Sequence, residues 1–166
     1  MYNINFDKYI EFVDWQVVYW GIQNDFLEPK CAISYAHKMA EYNITEDESL
    51  IVDLLILDTQ DKNSVVALIE ESVAMGNIDA QRCKRVLRYI ILDMINQSAE
   101  DVLSRVENVY ADFEYPEDMN SFISYMPVED GKYNPSEHNE AENKQRLIGK
   151  FNEFLKNELM HFKRCN

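Results

Sequence analysis

The chain has 166 residues, of which 46% are hydrophobic, and this composition predicts a single globular domain over residues 1–166 rather than a disordered chain. Thirty acidic residues against sixteen basic ones give a net charge of −14, and most of the excess lies in residues 1–81, which hold fifteen acids and four bases. Such a surface repels phosphate backbones and anionic membranes, so we expect no nucleic-acid or membrane partner, and we expect any protein partner to be basic.

Apolar residues recur with a helical period along nearly the whole chain, and glycine and proline number only four each, which is too few for most β-sandwiches. We therefore predict an all-α fold of about eight helices, mostly antiparallel to their neighbours. Asp14 is the expected N-cap of the first helix. Trp15 shares an apolar stripe with Val18 and Ile22 and is predicted to be core. Trp20 projects about 140° away, so it should pack on a second neighbour or lie at the surface.

The next two helices are less regular. The second helix is expected to turn Ile33, Ala36 and Ala40 inward. Residues 45–48, Thr-Glu-Asp-Glu, form a capping box before the apolar residues 50–57. These residues are apolar almost all round, so they form either a central buried helix or a strand, and the capping box favours the helix.

Polar residues that can cap a helix punctuate the rest of the chain. Asp61 or Asn63 is expected to open the fourth helix, Asp79 the fifth, Ser98 the sixth and Ser136 the last. The sixth helix has the clearest apolar stripe in the chain: Val102, Val106, Val109, Tyr110 and Phe113.

Motifs for catalysis or cofactor binding are missing from the sequence. The glycines are isolated, which excludes a phosphate-binding loop, and the three cysteines form no CxxC pair, so we expect reduced thiols and neither metal nor cofactor. Glu158 and His161 have the spacing of two metal ligands on one helix face, but a two-metal carboxylate site needs a second such pair. The N-terminus does not resemble a signal peptide, and the apolar runs are too short to span a membrane, so we expect a cytoplasmic protein.

Carboxylates and aromatic rings are densest at residues 110–118, Tyr-Ala-Asp-Phe-Glu-Tyr-Pro-Glu-Asp. This segment has three possible roles. Paired carboxylates can perform acid–base chemistry or bind a metal, and acids after Pro116 can simply suit the first turn of a short helix. Aromatic rings and carboxylates together can also bind a partner protein. The candidate partner-binding residues are Asp112, Glu114, Tyr115, Glu117, Asp118 and Tyr125. An alternative acidic surface consists of Glu41, Glu46, Asp47, Glu48, Asp53, Asp58 and Asp61.

Several stretches resemble a family of small acidic bacterial proteins of unknown function. They are residues 15–22, Trp-Gln-Val-Val-Tyr-Trp-Gly-Ile, then Phe26-Leu27, residues 110–118 and residues 125–127, Tyr-Met-Pro. The resemblance covers residues 10–130 and leaves out the C-terminal helix. Related proteins resemble immunity partners of polymorphic toxin systems, which block a toxin by binding it, and no catalytic residues carry over. The resemblance implies a non-enzymatic protein that neutralises a basic toxin. An enzyme that uses the carboxylates of residues 112–118 and a helical adaptor remain as alternatives.

Overall fold

Helices account for almost all of the regular structure. The computed structural model describes residues 1–44, 47–57, 61–73, 76–98, 101–128, 131 and 133–165. These residues contain α1 (Trp15–Gln23), α2 (Lys30–Glu41), α3 (Glu48–Leu55), α4 (Lys62–Ser72), α5 (Ala80–Gln97), α6 (Val102–Asp112) and α7 (Glu140–Cys165), with two 3₁₀ helices at Glu117–Phe122 and Pro135–Glu137. The only β-type pairing among them is an isolated bridge between Tyr2 and Leu27. The predicted all-α class is confirmed.

Three of the predicted helix starts are set by an aspartate. Asp14, Asp61 and Asp79 each accept a hydrogen bond from the amide three residues further on, at 3.0 Å in every case. Each bond satisfies an amide that has no partner within its helix, which is why short acidic side chains are favoured at this position. Asp61 rather than Asn63 therefore opens α4.

Two predicted caps are wrong. The hydroxyl of Ser98 donates to the carbonyl of Ile95 at 2.7 Å, so Ser98 closes α5 instead of opening α6. Ser136 lies in the 3₁₀ helix Pro135–Glu137, and α7 is capped by Asn139. The Asn139 side chain accepts from the amide of Glu142 at 2.9 Å, and the Glu142 carboxylate accepts from the amide of Asn139 at 3.0 Å. This reciprocal pair is a capping box that the sequence reading missed.

Residues 50–57 contribute to a helix, as predicted, but this helix is not the central buried one. Thr45 and Glu46 of the expected capping box lie outside the described residues. Leu50, Ile51 and Leu54 are buried in α3, whereas Val52 is 49% exposed and Ile56, just after the helix, is 70% exposed. In α5, by contrast, every residue from 86 to 92 is buried, although both ends of this helix are exposed.

The chain divides into two compact units, Met1–Ile90 and Ile91–Asn166, and α5 contributes residues to both. In the first unit α1 packs against α2 and α4, and α3 also packs against α2 and α4. In the second unit α7 packs against the 3₁₀ helix Glu117–Phe122, where Phe122 contacts Phe151 and Phe154 at ring-centroid distances of 5.4 and 5.1 Å. One domain over residues 1–166 and antiparallel neighbours stay predictions.

The two tryptophans of α1 have different surroundings, as predicted. Trp15 is 5% exposed and meets Tyr35 edge-on at 4.8 Å, while Tyr35 donates its hydroxyl proton to the carbonyl of Val13 at 2.8 Å. Trp20 is half-buried and stacks on Phe26 at 5.4 Å. Burial thus follows the helical stripe in α1.

The buried face of α2 differs from the predicted one. Ala36 is buried as expected, but Ile33 is only half-buried and Ala40 is exposed. The buried residues of this helix are Cys31, Ala32, Tyr35, Ala36 and Met39. The face that points inward is therefore rotated toward Tyr35, whose ring packs against both Trp15 and Phe6.

Candidate protein-interaction surface

Helix α6 ends in a turn that folds Tyr115 back onto Tyr110, five residues earlier in the chain. The amide of Glu114 donates to the carbonyl of Ala111 at 3.0 Å, and the amide of Tyr115 donates to the carbonyl of Tyr110 at 2.8 Å. This is the Schellman pattern that ends many helices, and it normally places glycine where Glu114 stands. Glu114 and Tyr115 instead adopt left-handed φ values of 63° and 58°. Non-glycine residues in this region are strained by about 1–2 kcal/mol each.

Tyr110 is the buried centre of this region. It is 3% exposed, and its hydroxyl donates to Oδ1 of Asn120 at 2.7 Å. Its ring lies 5.3 Å from that of Tyr115, edge-on, and 6.3 Å from that of Tyr125. Tyr115 and Tyr125 are themselves 61% and 60% exposed. Two exposed phenol rings therefore both pack on a buried third ring.

A carboxylate on α6 fixes the position of Tyr125. Glu107 accepts hydrogen bonds from both the amide and the hydroxyl of Ser124, the amide at 3.2 Å. This contact ties the segment after the 3₁₀ helix Glu117–Phe122 back to α6. Loss of solvation, followed by the negative charge of Glu107, raises the pKa of the Tyr125 phenol above its usual value. Tyr125 thus stays a neutral hydrogen-bond donor throughout the physiological pH range.

All six residues predicted to bind a partner lie at the surface around Tyr110. Asp112 is the last residue of α6, Glu114 and Tyr115 form the turn, and Glu117 and Asp118 begin the 3₁₀ helix Glu117–Phe122. Asp112, Glu114, Glu117 and Asp118 are exposed. We call the set Asp112, Glu114, Tyr115, Glu117, Asp118 and Tyr125 the Tyr110 surface. Tyr110, Glu107 and Ser124 position it; the sequence placed Tyr110 only on the apolar stripe of the helix and gave no role to Glu107 or Ser124.

The alternative acidic surface is only partly free to bind a partner. Glu46 and Asp58 lie outside the described residues. Glu41 pairs with Lys38 at 2.6 Å, and Asp61 caps α4. The sequence analysis also missed the exposed apolar side chains in this part of the chain: Tyr42 at 54%, Val52 at 49% and Ile56 at 70%.

The histidines and the described cysteines do not converge on a site. His37 is exposed on α2, and His138 stacks on Tyr133 at 4.4 Å. Glu158 is buried whereas His161 is exposed on α7, so their spacing does not place both side chains in one environment. Among the described residues, no three side chains of the metal-ligating types lie close enough to share an ion. None of the helices in the described part of the chain is both long and apolar enough to cross a membrane.

These features define a class of protein: an acidic helical protein with an exposed cluster of tyrosines and carboxylates at one helix end. Residues 4–159 match the family described as an uncharacterized protein conserved in bacteria (DUF2247), and the chain belongs to this family. The match includes most of α7, so the similarity extends beyond the residue 10–130 range expected from the sequence. Neither a curated protein nor a solved structure matches the chain.

The recognised stretches have different physical roles. In residues 15–22 and at Leu27 the side chains are largely core, with Val17, Val18, Ile22 and Leu27 all 0% exposed. Residues 110–118 combine the buried Tyr110 with most of the Tyr110 surface. The first stretch therefore maintains the fold, whereas the second presents side chains to solvent.

Proposed function

We propose that this protein binds a basic partner protein through the Tyr110 surface and blocks it, as an immunity protein blocks its toxin in the cytoplasm of the cell that makes both. The observation that carries the proposal is the pair of exposed rings, Tyr115 and Tyr125, that pack on buried Tyr110 among four exposed carboxylates. Tyrosine is one of the residue types that supply most of the binding free energy at protein interfaces.

Pre-organisation supports the same function. Because both rings already contact Tyr110, and Glu107 holds Ser124 next to Tyr125, little side-chain freedom is lost when a partner covers them. The left-handed turn at Glu114 and Tyr115 costs folding free energy, and strained backbone of this kind is concentrated at functional sites. Holding Tyr115 over Tyr110 is a physical reason for that strain.

Charge supplies the second part of the interaction. A net charge of −14 attracts a basic partner from a distance and raises the association rate, and the effect weakens as salt screens the charges. The carboxylates Asp112, Glu117 and Asp118 then face the partner's cations at the rim of the contact, where they favour correct orientation more than affinity. A basic nuclease or other cationic toxin domain fits these requirements.

The test is co-expression with the product of the adjacent gene, followed by measurement of growth and of binding at low and high salt. Tyr115→Ala and Tyr125→Ala are each expected to weaken binding at least tenfold, the size of a hot-spot loss of more than about 1.4 kcal/mol. Tyr42→Ala is the matched control, since Tyr42 is similarly exposed, at 54%, but lies on α2's C-terminal side in the first unit. Growth rescue with salt-sensitive binding is the expected result.

Three outcomes would contradict the proposal. If Tyr42→Ala weakens binding and the Tyr110-surface variants do not, the partner binds the alternative acidic surface. If the partner is a cellular protein that is not toxic, the protein is a helical adaptor. If no partner binds and a small substrate is turned over in a reaction that Asp112→Asn or Asp118→Asn abolishes, the protein is an enzyme.

A further inference from the structure

A small cavity in the second unit lies between α7 and the segment that begins in the 3₁₀ helix Glu117–Phe122. Its volume is about 100 Å³, several times the space of roughly 10–15 Å³ that one water molecule needs. It is lined by Asn120, Ser121, Ile123, Met126, Pro127, Val128, Arg146 and Lys150. The lining therefore combines apolar side chains with two cations and two neutral polar side chains.

Both cations come from α7. Arg146 and Lys150 are four residues apart, so they project from the same face of the helix, and both side chains are half-buried. The Arg146 guanidinium lies 4.6 Å above the ring of Tyr133, whose hydroxyl donates to Oδ1 of Asn143 at 2.7 Å. The cation–π contact holds Arg146 in place without neutralising its charge.

No carboxylate among the described residues forms an ion pair with Arg146 or Lys150, and the Nε–H group of Arg146 is buried without an acceptor there. Elsewhere in this acidic chain half-buried cations do have partners: Lys38 pairs with Asp7 at 2.6 Å and Lys62 with Asp25 at 2.7 Å. A buried donor without an acceptor is costly, so this cavity favours an occupant that brings negative charge and lone pairs.

The neutral polar side chains complete the donor set. Oδ1 of Asn120 accepts from the hydroxyl of Tyr110, and this bond assigns the amide nitrogen, which only donates, to the other side of the Asn120 head group. The Ser121 hydroxyl can also donate. Together with the guanidinium and ammonium groups, these donors match the oxygens of a carboxylate or phosphate.

We propose that this cavity is a binding site for a small oxyanion, of the carboxylate or phosphate class. Arg146 and Lys150 neutralise its charge, Asn120 and Ser121 donate to its oxygens, and Ile123, Met126 and Val128 exclude water from its other side. The site is independent of the partner-binding function proposed above, because none of its lining residues belongs to the Tyr110 surface. The Asn120–Tyr110 hydrogen bond nevertheless connects the two, so occupancy should be felt by Tyr110.

The test follows backbone amide resonances of the full chain during titration with inorganic phosphate, with propionate and with the uncharged isostere propionamide, at constant ionic strength. Saturable shifts in residues 120–128 are expected with phosphate or propionate and not with propionamide. Binding of phosphate alone assigns a phosphoryl ligand, and binding of propionate alone assigns a carboxylate. No saturable shift with either anion overturns the proposal.

Lys150→Gln is expected to weaken the anion's affinity about tenfold or more, because a charge-assisted hydrogen bond is lost. Lys156→Gln is the matched control, since Lys156 is exposed on the same helix and does not line the cavity. Arg146→Lys keeps the charge but loses the planar guanidinium. It should weaken binding less than the double variant Arg146→Lys/Lys150→Gln does. Equal weakening by Lys150→Gln and Lys156→Gln would mean that the anion responds to overall charge, and the proposed site would be wrong.

Discussion

The same substitution is expected to have opposite effects at two helical glycines. Gly21 lies in α1, where a Cβ atom would come within 2.7–2.8 Å of side-chain atoms of Leu27 and Leu87. Both leucines are 0% exposed, so neither can move aside without disturbing the core. Gly149 lies in α7, and a Cβ atom there would meet nothing within 4 Å.

The magnitudes follow from two terms. Replacing glycine by alanine in a helix interior gains about 1 kcal/mol, because glycine has more conformational freedom to lose. An added methyl group in a packed core costs about 1–3 kcal/mol. Gly149→Ala therefore gains the first term alone and should raise the free energy of unfolding by about 1 kcal/mol. Gly21→Ala should lower it by about 1 kcal/mol, since packing strain outweighs the helical gain.

Urea denaturation followed by far-ultraviolet circular dichroism measures both variants against the parent protein. The expected separation of about 2 kcal/mol corresponds to about 4–8 °C in Tm for a chain of this size. An unchanged slope with urea would show that the denatured state is unaffected. If Gly21→Ala is as stable as Gly149→Ala, the close packing of α1 on Leu27 and Leu87 is not present in solution.

Three further predictions concern the core and its cooperativity. Trp15→Ala should cost about 3–5 kcal/mol as a core cavity and Trp20→Ala clearly less, and the reverse order in denaturation curves would refute the burial of Trp15. Both tryptophans lie in the Met1–Ile90 unit, so tryptophan fluorescence reports on that unit, whereas circular dichroism reports on the helices of both units. A single domain over residues 1–166 should show coincident transitions by the two methods, and two separated transitions would contradict it. Burial raises the pKa of the Cys83 thiol to about 11 from 9.0. Because the thiolate is the reactive form, Cys83 in a Cys165→Ser variant should react with a disulfide reagent near pH 8 about a hundredfold more slowly than in denaturant. Equal rates would refute its burial.

Local sequence was sufficient to locate most of the helices. A cap such as Asp14, Asp61 or Asp79 needs only an amide three residues away, and that amide is supplied by the helix it opens. The apolar stripe of α6 likewise predicted the buried residues Val106, Val109 and Tyr110 and the buried Phe113 just after the helix, whereas Val102 is only half-buried. The predictions failed at Ser98, whose hydroxyl binds back to Ile95 of the preceding helix, and at Ser136, because Asn139 caps α7 instead.

Which residues of a helix are buried depended on the neighbouring elements. The apolar α3 leaves Val52 exposed because α2 and α4 cover only part of it. The α5 helix, which carries charged residues such as Arg88, is buried throughout residues 86–92. Hydrophobicity predicts that a side chain prefers to be covered, but the number of elements that can reach it is a property of the packed chain.

The Tyr110 surface was likewise predicted in part from the sequence and in part only by the tertiary structure. The composition of residues 110–118 by itself allowed partner binding as one of three interpretations. Only the tertiary structure brings Tyr125 to Tyr110, on which Tyr115 also packs, because Glu107 binds Ser124. The sequence did not predict a site at Arg146 and Lys150, because the other residues that line the cavity come from a separate segment, residues 120–128. Sequence determines which side chains are attracted to water, charge or apolar surroundings, whereas the fold determines which of them meet, because contacts between distant residues form only once the helices between them have packed.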